Sequence, residues 1–201
     1  MRIVLIDSTE HQHSDVEQMI EYLKHYYRSH QLELETVKLK NLRITKCSQC
    51  RGCTQKIGDM PEKCFIDDEM NYIIDEIESA DAYIILSDTK SVFNKNKIHQ
   101  KFSTRLVAYY YWPFGQLQSI PRKVNLHKKS ILINYNTASY FKAQSFKTST
   151  QELGQTATAI GAEVVDSLMI KPAVNFQAMM NNYTKQLEAL CYKLIPKRQM
   201  A

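Results

Sequence analysis

The stretch Ala82-Tyr83-Ile84-Ile85-Leu86-Ser87 is almost wholly apolar, and so is the opening run Arg2-Ile3-Val4-Leu5-Ile6. A strand that faces solvent on one side alternates apolar and polar residues, whereas a strand covered on both faces is a continuous apolar run. Both runs are far shorter than the roughly 20 residues that a membrane-spanning helix needs. They therefore indicate two strands of a buried parallel sheet.

Helical and strand patterns alternate along the rest of the chain. Apolar residues recur at helical spacing in five segments: 16–27, 70–77, 98–109, 153–160 and 176–194. Three further strands are expected at 33–38, 130–134 and 164–170. Five strands that alternate with helices predict an α/β fold, with a five-stranded parallel sheet and helices on both of its faces. We expect one domain over residues 1–195, with a cysteine-rich insertion at 43–68 and a tail at 196–201.

The net charge of +5 originates in one part of the chain. Residues 88–147 contain eleven Lys and Arg and a single acid, Asp88, whereas the rest of the chain has 15 basic and 20 acidic residues. The same segment holds eleven of the twenty aromatic residues. Such a stretch could contact an acidic partner or nucleic acid, or it could be a solvated basic face above an aromatic core.

The cysteines indicate the cellular setting. The apolar part of the N-terminus is too short for a secretory signal. Five cysteines in a chain of this kind favour a reducing environment, so we expect a cytoplasmic protein with no membrane partner.

Four of those cysteines, Cys47, Cys50, Cys53 and Cys64, fall within 18 residues. Closely spaced thiols can hold an iron–sulfur cluster, share a zinc ion, or remain free as redox-active groups. Neighbouring lysines and arginines would favour the thiolate form. All three interpretations stay open from the spacing alone. The fifth, Cys191, lies on the apolar stripe of the last helix and is expected in the core.

The cysteine loop also carries a family resemblance. It runs from Ile44-Thr45-Lys46-Cys47-Ser48-Gln49-Cys50-Arg51-Gly52-Cys53 to Cys64-Phe65-Ile66-Asp67-Asp68-Glu69-Met70, and it precedes the strand lead-in Ser79-Ala80-Asp81. This pattern resembles the flavodoxin-like NAD(P)H-dependent FMN reductases and their relatives, the iron–sulfur flavoproteins. The resemblance implies a flavodoxin-like three-layer sandwich, bound FMN, NAD(P)H as co-substrate and a [4Fe–4S] cluster on the four cysteines. It also implies a homodimer or larger homo-oligomer that passes electrons to a small-molecule or protein acceptor.

In such a sheet, ligands bind where the chain leaves the C-terminal ends of the strands. The resemblance therefore places cofactor-binding residues in three loops, which begin at Asp7, Asp88 and Tyr135. The candidates are Ser8, His13, Ser14, Ser87, Thr89, Lys90, Phe93, Asn134, Tyr135 and Asn136. Among them, Lys90 or Phe93 could contact the flavin ring by charge or stacking.

The first of these loops differs from the family pattern. Residues 7–15 contain neither the glycines nor the arginine with which the family holds the FMN phosphate. The loop and the following helix instead carry four acids, Asp7, Glu10, Asp15 and Glu17. Ser14-x-x-Glu17 also matches a capping box, which would satisfy the free N–H groups of the first helix. Repulsion from the acids weighs against tight FMN binding.

The resemblance predicts an oxidoreductase related to the FMN reductases, in which FMN relays hydride and no side chain acts as catalytic acid or base. The alternative is a flavin-free binding or scaffold protein of the same fold, whose segment 88–147 contacts an acidic partner or nucleic acid. Of these two partners, nucleic acid is the less expected.

Overall fold

The computed structural model describes residues 1–89, 96–138 and 142–196, with the backbone alone at 142–148. In chain order its elements are β1 (Arg2–Asp7), α1 (Ser14–Ser29), β2 (Glu33–Lys38), α2 (Met70–Ser79), β3 (Ala82–Thr89), α3 (Lys97–Arg105), β4 (Tyr110–Tyr111), β5 (Ile120–Pro121), β6 (Lys128–Asn136), α4 (Lys142–Ala159), β7 (Ala162–Ile170) and α5 (Phe176–Tyr192). Short 3-10 helices lie at Leu39–Asn41, Gly52–Thr54 and Leu106–Tyr109.

The main sheet has five parallel strands in the order β2-β1-β3-β6-β7. This is the flavodoxin-like order, in which the chain crosses after β2 to the other side of β1 and continues with β3. The predicted five-stranded parallel α/β fold is therefore confirmed.

Alternate residues of the central strands feed two separate cores. Val4 and Ile6 of β1 pack in the cluster that contains α2 and α4 residues, whereas Ile3 and Leu5 pack in the cluster that contains α1 and α5 residues. All four side chains are fully buried. Since burial of each such side chain contributes about 1.5–3 kcal/mol, both faces of the sheet stabilise the fold. Cys191 lies in the second core, as expected.

Two parts of the chain differ from the expected elements. The third helix ends at Arg105 and continues as a 3-10 turn over Leu106–Tyr109, where one longer helix was expected. The antiparallel pair of β4 and β5 was not predicted, because two-residue strands show no periodicity. Arg122, one residue after β5, is buried and donates to the carbonyls of Gly58 and Cys53. It therefore holds the hairpin against the cysteine loop.

Within the described residues, no helix combines the length and apolar character required to span a bilayer.

Gly161, between α4 and β7, allows a direct test of the predicted helix cap. Its φ is +83°, and its N–H donates to the carbonyl of Thr158. A Cβ built at this position would lie 2.8 Å from Cβ of Lys123. We expect Gly161→Ala to lower the free energy of unfolding by about 1 kcal/mol or more, measured by urea denaturation.

Gly154→Ala is the matched control, because this glycine lies within α4 and nothing is within 4 Å of the added Cβ. We expect it to leave stability unchanged or to raise it by up to about 1 kcal/mol. Equal losses for the two variants would contradict the cap.

Candidate functional site

The ends of β1, β3 and β6 lie side by side at the C-terminal edge of the sheet. The register sets Asp7 beside Leu86 across β1 and β3, and Ser87 beside Asn134 across β3 and β6. The polar residues that end these strands therefore face one another. Most of them are buried, so their hydrogen-bond partners decide what the edge can bind.

Asp88 is the centre of this edge. The residue is 5% exposed, and its carboxylate accepts hydrogen bonds from the N–H of Glu10 at 2.9 Å, the N–H of His11 at 3.0 Å and the side chain of Asn96 at 2.8 Å. Nδ1 of His11 lies 2.8 Å from Oδ2, and Nε2 of His13 lies 3.2 Å from the same oxygen. Burial raises the pKa of Asp88, but these hydrogen bonds outweigh burial and hold the pKa below its usual range.

The end of β1 is also occupied by internal bonds. Oδ1 of Asp7 accepts from the N–H and the hydroxyl of Thr9, while burial raises the pKa of Asp7 above its usual range. The hydroxyl of Ser8 donates to the carbonyl of Leu86 at 2.8 Å and lies 3.1 Å from Nδ1 of His99. Burial lowers the pKa of His99 to about 4, so this histidine is neutral near pH 7. Ser8 therefore acts as a link between strands in this arrangement.

The end of β6 keeps one unused acceptor. The side chain of Asn134 donates to the hydroxyls of Thr89 and Ser149, yet its Oδ1 is buried without a partner. A buried unpaired oxygen costs about 1–3 kcal/mol, so a ligand N–H at this point would be favourable. Asn136 accepts from the N–H of Ala138, and its side-chain nitrogen lies 3.5 Å from the sulfur of Met169.

The start of α1 corrects the predicted capping box. The helix begins at Ser14, so His13 and not Ser14 is the N-cap residue, and its side chain makes no capping bond. The Glu17 carboxylate pairs with Lys38 of β2 and does not turn back to the helix start, because the neighbouring strand offers a cation. The first-turn N–H groups of α1 are therefore left without a side-chain cap.

The remaining candidates of the loops can be placed as follows. The ring of His13 packs on that of Tyr135 with centroids 4.8 Å apart, and the Tyr135 hydroxyl donates to Asp15 at 3.2 Å. Burial and Asp15 raise the pKa of Tyr135 to about 12. Ser14 is exposed at the helix start. Lys90 and Phe93 lie outside the described residues.

The four clustered cysteines line one cavity of about 340 Å³. Lys46, Arg51 and Arg105 share its wall, and the Arg51 guanidinium lies 3.9 Å from the centroid of the Trp112 ring. Burial raises the pKa of Cys53, whereas hydrogen bonds from Gly52 and Ser48 lower that of the exposed Cys50. All four thiols are free.

The four thiols are not gathered at the spacing of a zinc site. Four thiolates around zinc, with bonds of about 2.3 Å, lie roughly 3.8 Å from one another. In the described part of the chain, the four cysteines do not form a group of ligand atoms within 4.8 Å. A [4Fe–4S] cluster places each thiolate on a different iron and therefore accepts a wider set of sulfurs.

A buried ion pair positions the cysteine loop. Arg105 donates to both carboxylate oxygens of Asp68, at 2.7 and 3.1 Å, and to the carbonyl of Thr45. The two side chains are 2% and 0% exposed. Asp68 also accepts from the N–H groups of Thr45 and Met70. One carboxylate therefore joins the start of the loop, the start of α2 and the end of α3.

Sequence reasoning missed the four residues that organise the strand edge: His11, Asp88, Asn96 and His99. Asp88 stood out as the single acid of residues 88–147, and the pair His11-x-His13 was visible. Their convergence was not visible, because more than 70 residues separate the two loops.

The first 89 residues match the family model "NADPH-dependent FMN reductase". The predicted resemblance to this family is therefore confirmed over the part of the chain from β1 to the end of β3. No curated protein matches the sequence.

Solved structures match almost the whole chain. An FMN-dependent NADH-azoreductase from Bacillus anthracis, solved in complex with FMN, is 12% identical with a TM-score of 0.66, and the match covers 96% of this chain and 99% of that chain. Oxidised flavodoxin 1 from Bacillus cereus is 13% identical with a TM-score of 0.57, over 98% and 100%. An NAD(P)H:quinone oxidoreductase from Methanothermobacter marburgensis is 11% identical with a TM-score of 0.59, over 94% and 96%. At these identities the likeness shows the flavodoxin-like fold.

The residues at the C-terminal edge of the sheet differ in how well they fit the flavin ring and the phosphate of FMN. On the ring side, Oδ1 of Asn134 is a buried acceptor without a partner, and a ring N–H would reach it once the side chain moves to expose it. On the phosphate side, the Asp88 carboxylate already accepts the N–H groups of Glu10 and His11. A phosphate placed there would meet this negative charge and find those donors occupied. The described arrangement therefore fits a flavin ring but not the FMN phosphate.

The ion pair of Asp68 leads to a stability prediction. Asp68→Asn leaves Arg105 buried without its counter-charge, so we expect the free energy of unfolding to fall by about 3–5 kcal/mol. Asp67→Asn, at the exposed neighbouring position, is the control and should change stability by less than about 0.5 kcal/mol. Equal effects in urea denaturation would show that the pair does not anchor the loop.

The same ion pair predicts how the stability of the protein depends on pH. Burial raises the pKa of Asp68, but hydrogen bonds from Arg105, Thr45 and Met70 outweigh it, so the folded pKa is lowered. Its stabilisation is then complete above the ordinary Asp pKa of about 4 and is lost as pH falls through the lowered folded value. The stability difference between the chain and Asp68→Asn should shrink over that range.

Proposed function

We propose that this protein, which resembles the NADPH-dependent FMN reductases over residues 1–89, is a flavodoxin-like oxidoreductase that moves electrons from NAD(P)H through a bound flavin. The family match carries the proposal, because it spans β1, the loop that follows β1, and β3 with Asp88 and Thr89 at its end. Bound flavin supplies the hydride and electron-transfer chemistry, while the protein supplies binding, orientation and electrostatics. The electron acceptor is a small molecule or a protein.

The contacts at the strand edge refine this proposal. Asn134, which donates to Thr89, keeps an unpaired oxygen for the ring, whereas Asp88 opposes the phosphate. We infer that the site takes the flavin mainly by its ring. FMN and riboflavin should then bind with similar affinity, unlike in a site whose loop donors hold the phosphate.

The experiment is a fluorescence titration of the flavin-free protein with FMN and with riboflavin, in the presence of a metal chelator. We expect quenching by both flavins with dissociation constants within about threefold of each other. Asp88→Asn keeps an oxygen for the loop N–H groups but removes the charge, so it should tighten FMN about fivefold and leave riboflavin unchanged.

Two outcomes would contradict the proposed function. The first is no quenching by either flavin, and the second is a bound flavin that neither NADH nor NADPH reduces under anaerobic conditions. A strong preference for FMN in the unchanged protein would leave the oxidoreductase intact but overturn the role given to Asp88.

A second proposal concerns the cysteine cavity, where four thiols and three cationic side chains line one space. We propose that Cys47, Cys50, Cys53 and Cys64 hold a [4Fe–4S] cluster that exchanges electrons with the flavin. The cations favour the thiolates that such a cluster needs. Free redox-active thiols are the competing interpretation.

Anaerobic reconstitution with iron and sulfide tests the cluster. We expect about four iron atoms per chain and a broad visible absorption that survives desalting. Cys64→Ser should lower the iron content at least severalfold, whereas Cys191→Ala, in the core far along the sequence, should retain it. Iron that washes out, or that persists equally in both variants, would favour free thiols.

Homo-oligomerisation stays a prediction, and the distribution of exposed apolar side chains supports it. Among the described residues, eight of thirteen exposed large apolar side chains lie in segments 57–65 and 114–126. Arg122 joins these segments through its bond to Gly58. We propose that this apolar surface is the face between two copies of the chain.

The flavin-free binding protein finds less support in the described residues. Four basic side chains of segment 88–147 have internal partners: Arg105, Arg122, Lys123 and Lys128. Their charges are used to hold the cysteine loop, the hairpin and the end of α2, so they contribute little to an external basic face. The cytoplasmic location stays a prediction.

A further inference from the structure

The group of His11, His13 and Asp88 has a geometry that the proposed flavin chemistry does not use. In the described part of the chain, these three residues form the group of His, Cys, Asp or Glu whose ligand atoms all lie within 4.8 Å of one another. The loop after β1 supplies both imidazoles and the end of β3 supplies the carboxylate. The group lies at the C-terminal edge of the sheet, where this fold binds ligands.

The distances within the group are close to those of a metal centre. Nδ1 of His11 is 2.8 Å and Nε2 of His13 is 3.2 Å from Oδ2 of Asp88. Ligand atoms bound tetrahedrally at about 2.0–2.1 Å from zinc are separated by roughly 3.4 Å. Shifts of about 0.6 Å for Nδ1 of His11 and about 0.2 Å for Nε2 of His13 would bring these two pairs to that spacing, and the two nitrogens already lie within 4.8 Å of each other.

The surroundings already hold the ligands in place. Oδ1 of Asp88 accepts from the N–H of Glu10 and from Asn96, and Oδ2 accepts from the N–H of His11, so the carboxylate is fixed with Oδ2 toward the two imidazoles. The His13 ring is braced by Tyr135. Such outer contacts are typical of metal sites, where they orient the ligands before the ion binds.

The charges near Asp88 and the solvent exposure of the two imidazoles bear on whether a cation can bind. Asp15 and Glu10 lie on the same loop and helix start, which holds no arginine or lysine between Asp7 and Ser14, while the segment that follows Asp88 carries Lys90, Lys95 and Lys97. The side chains of His11 and His13 are 40% and 20% exposed, so an ion can reach them from solvent.

We propose that His11, His13 and Asp88 bind one divalent transition-metal ion, with Zn²⁺ as the best match to two imidazoles and one carboxylate. Three protein ligands leave a coordination position for water or for an anionic oxygen of a ligand. The bound ion would neutralise the negative charge of Asp88, which otherwise repels anions at this edge. The competing role is purely structural, with both rings as hydrogen-bond donors to Asp88.

Calorimetric titration with Zn²⁺ tests the site, provided that the cysteine loop is silenced. A triple variant with Cys47→Ser, Cys50→Ser and Cys64→Ser lacks three thiols of the cavity and keeps the buried Cys53. We expect one Zn²⁺ per chain in this background. His11→Ala and His13→Ala should each weaken binding at least tenfold, while His127→Ala, an exposed histidine of another loop, should leave it unchanged.

A second measurement on the unchanged chain covers the case in which the serine background fails to fold. Zn²⁺ should shift the imidazole ¹⁵N signals of His11 and His13 but not those of His127 in an NMR titration. Absence of a His11- and His13-dependent Zn²⁺ equivalent, or imidazole signals that do not move, would overturn the proposal. Because the flavin titration is run with a chelator, its failure is independent of this result.

Discussion

The rest of the structure depends on one constraint: the central strands β1, β3 and β6 are covered on both faces. Parallel strands so covered must be joined by crossovers whose helices pack on one face or the other, α2, α3 and α4 on one and α1 and α5 on the other. Every loop that follows a strand then emerges at the same edge. Polar residues cannot be placed along these strands without burial cost, so they collect at the strand ends, where Asp7, Asp88 and Asn134 lie.

At that edge a single carboxylate determines the character of the site. Asp88 binds the backbone of the loop after β1, the side chain of Asn96 and two imidazoles. A buried anion held by so many donors stays ionised. The loop that would otherwise present its N–H groups to a phosphate is therefore already folded around an internal negative charge. A flavin that binds by its ring and a cation that binds between His11 and His13 are both compatible with this arrangement.

The predictable part of the structure consists of local patterns. Apolar runs revealed β1 and β3, helical spacing revealed all five helices, and Gly161 marked the end of α4, with φ of +83°. The predicted cap at Ser14 was wrong because Glu17 found Lys38 on a neighbouring strand, a contact that no local pattern records. Likewise, 37 residues separate Asp68 from Arg105. The cysteine-loop motif that indicated the family therefore did not reveal that its Asp68 forms a buried ion pair.

By itself, the sequence determined the alternation of strands and helices, the parallel sheet and the resemblance to flavin reductases, because these follow from periodicity and from contiguous motifs. It also showed that the first loop is acidic and lacks glycine and arginine. Only the tertiary structure decided which donors remain free. Hydrogen bonds between segments far apart in the chain assign Ser8 to Leu86, the loop N–H groups to Asp88, and both imidazoles to one oxygen. Which ligand the edge can bind depends on the donors and acceptors that these hydrogen bonds leave unpaired. Identifying those groups requires the three-dimensional positions of the residues.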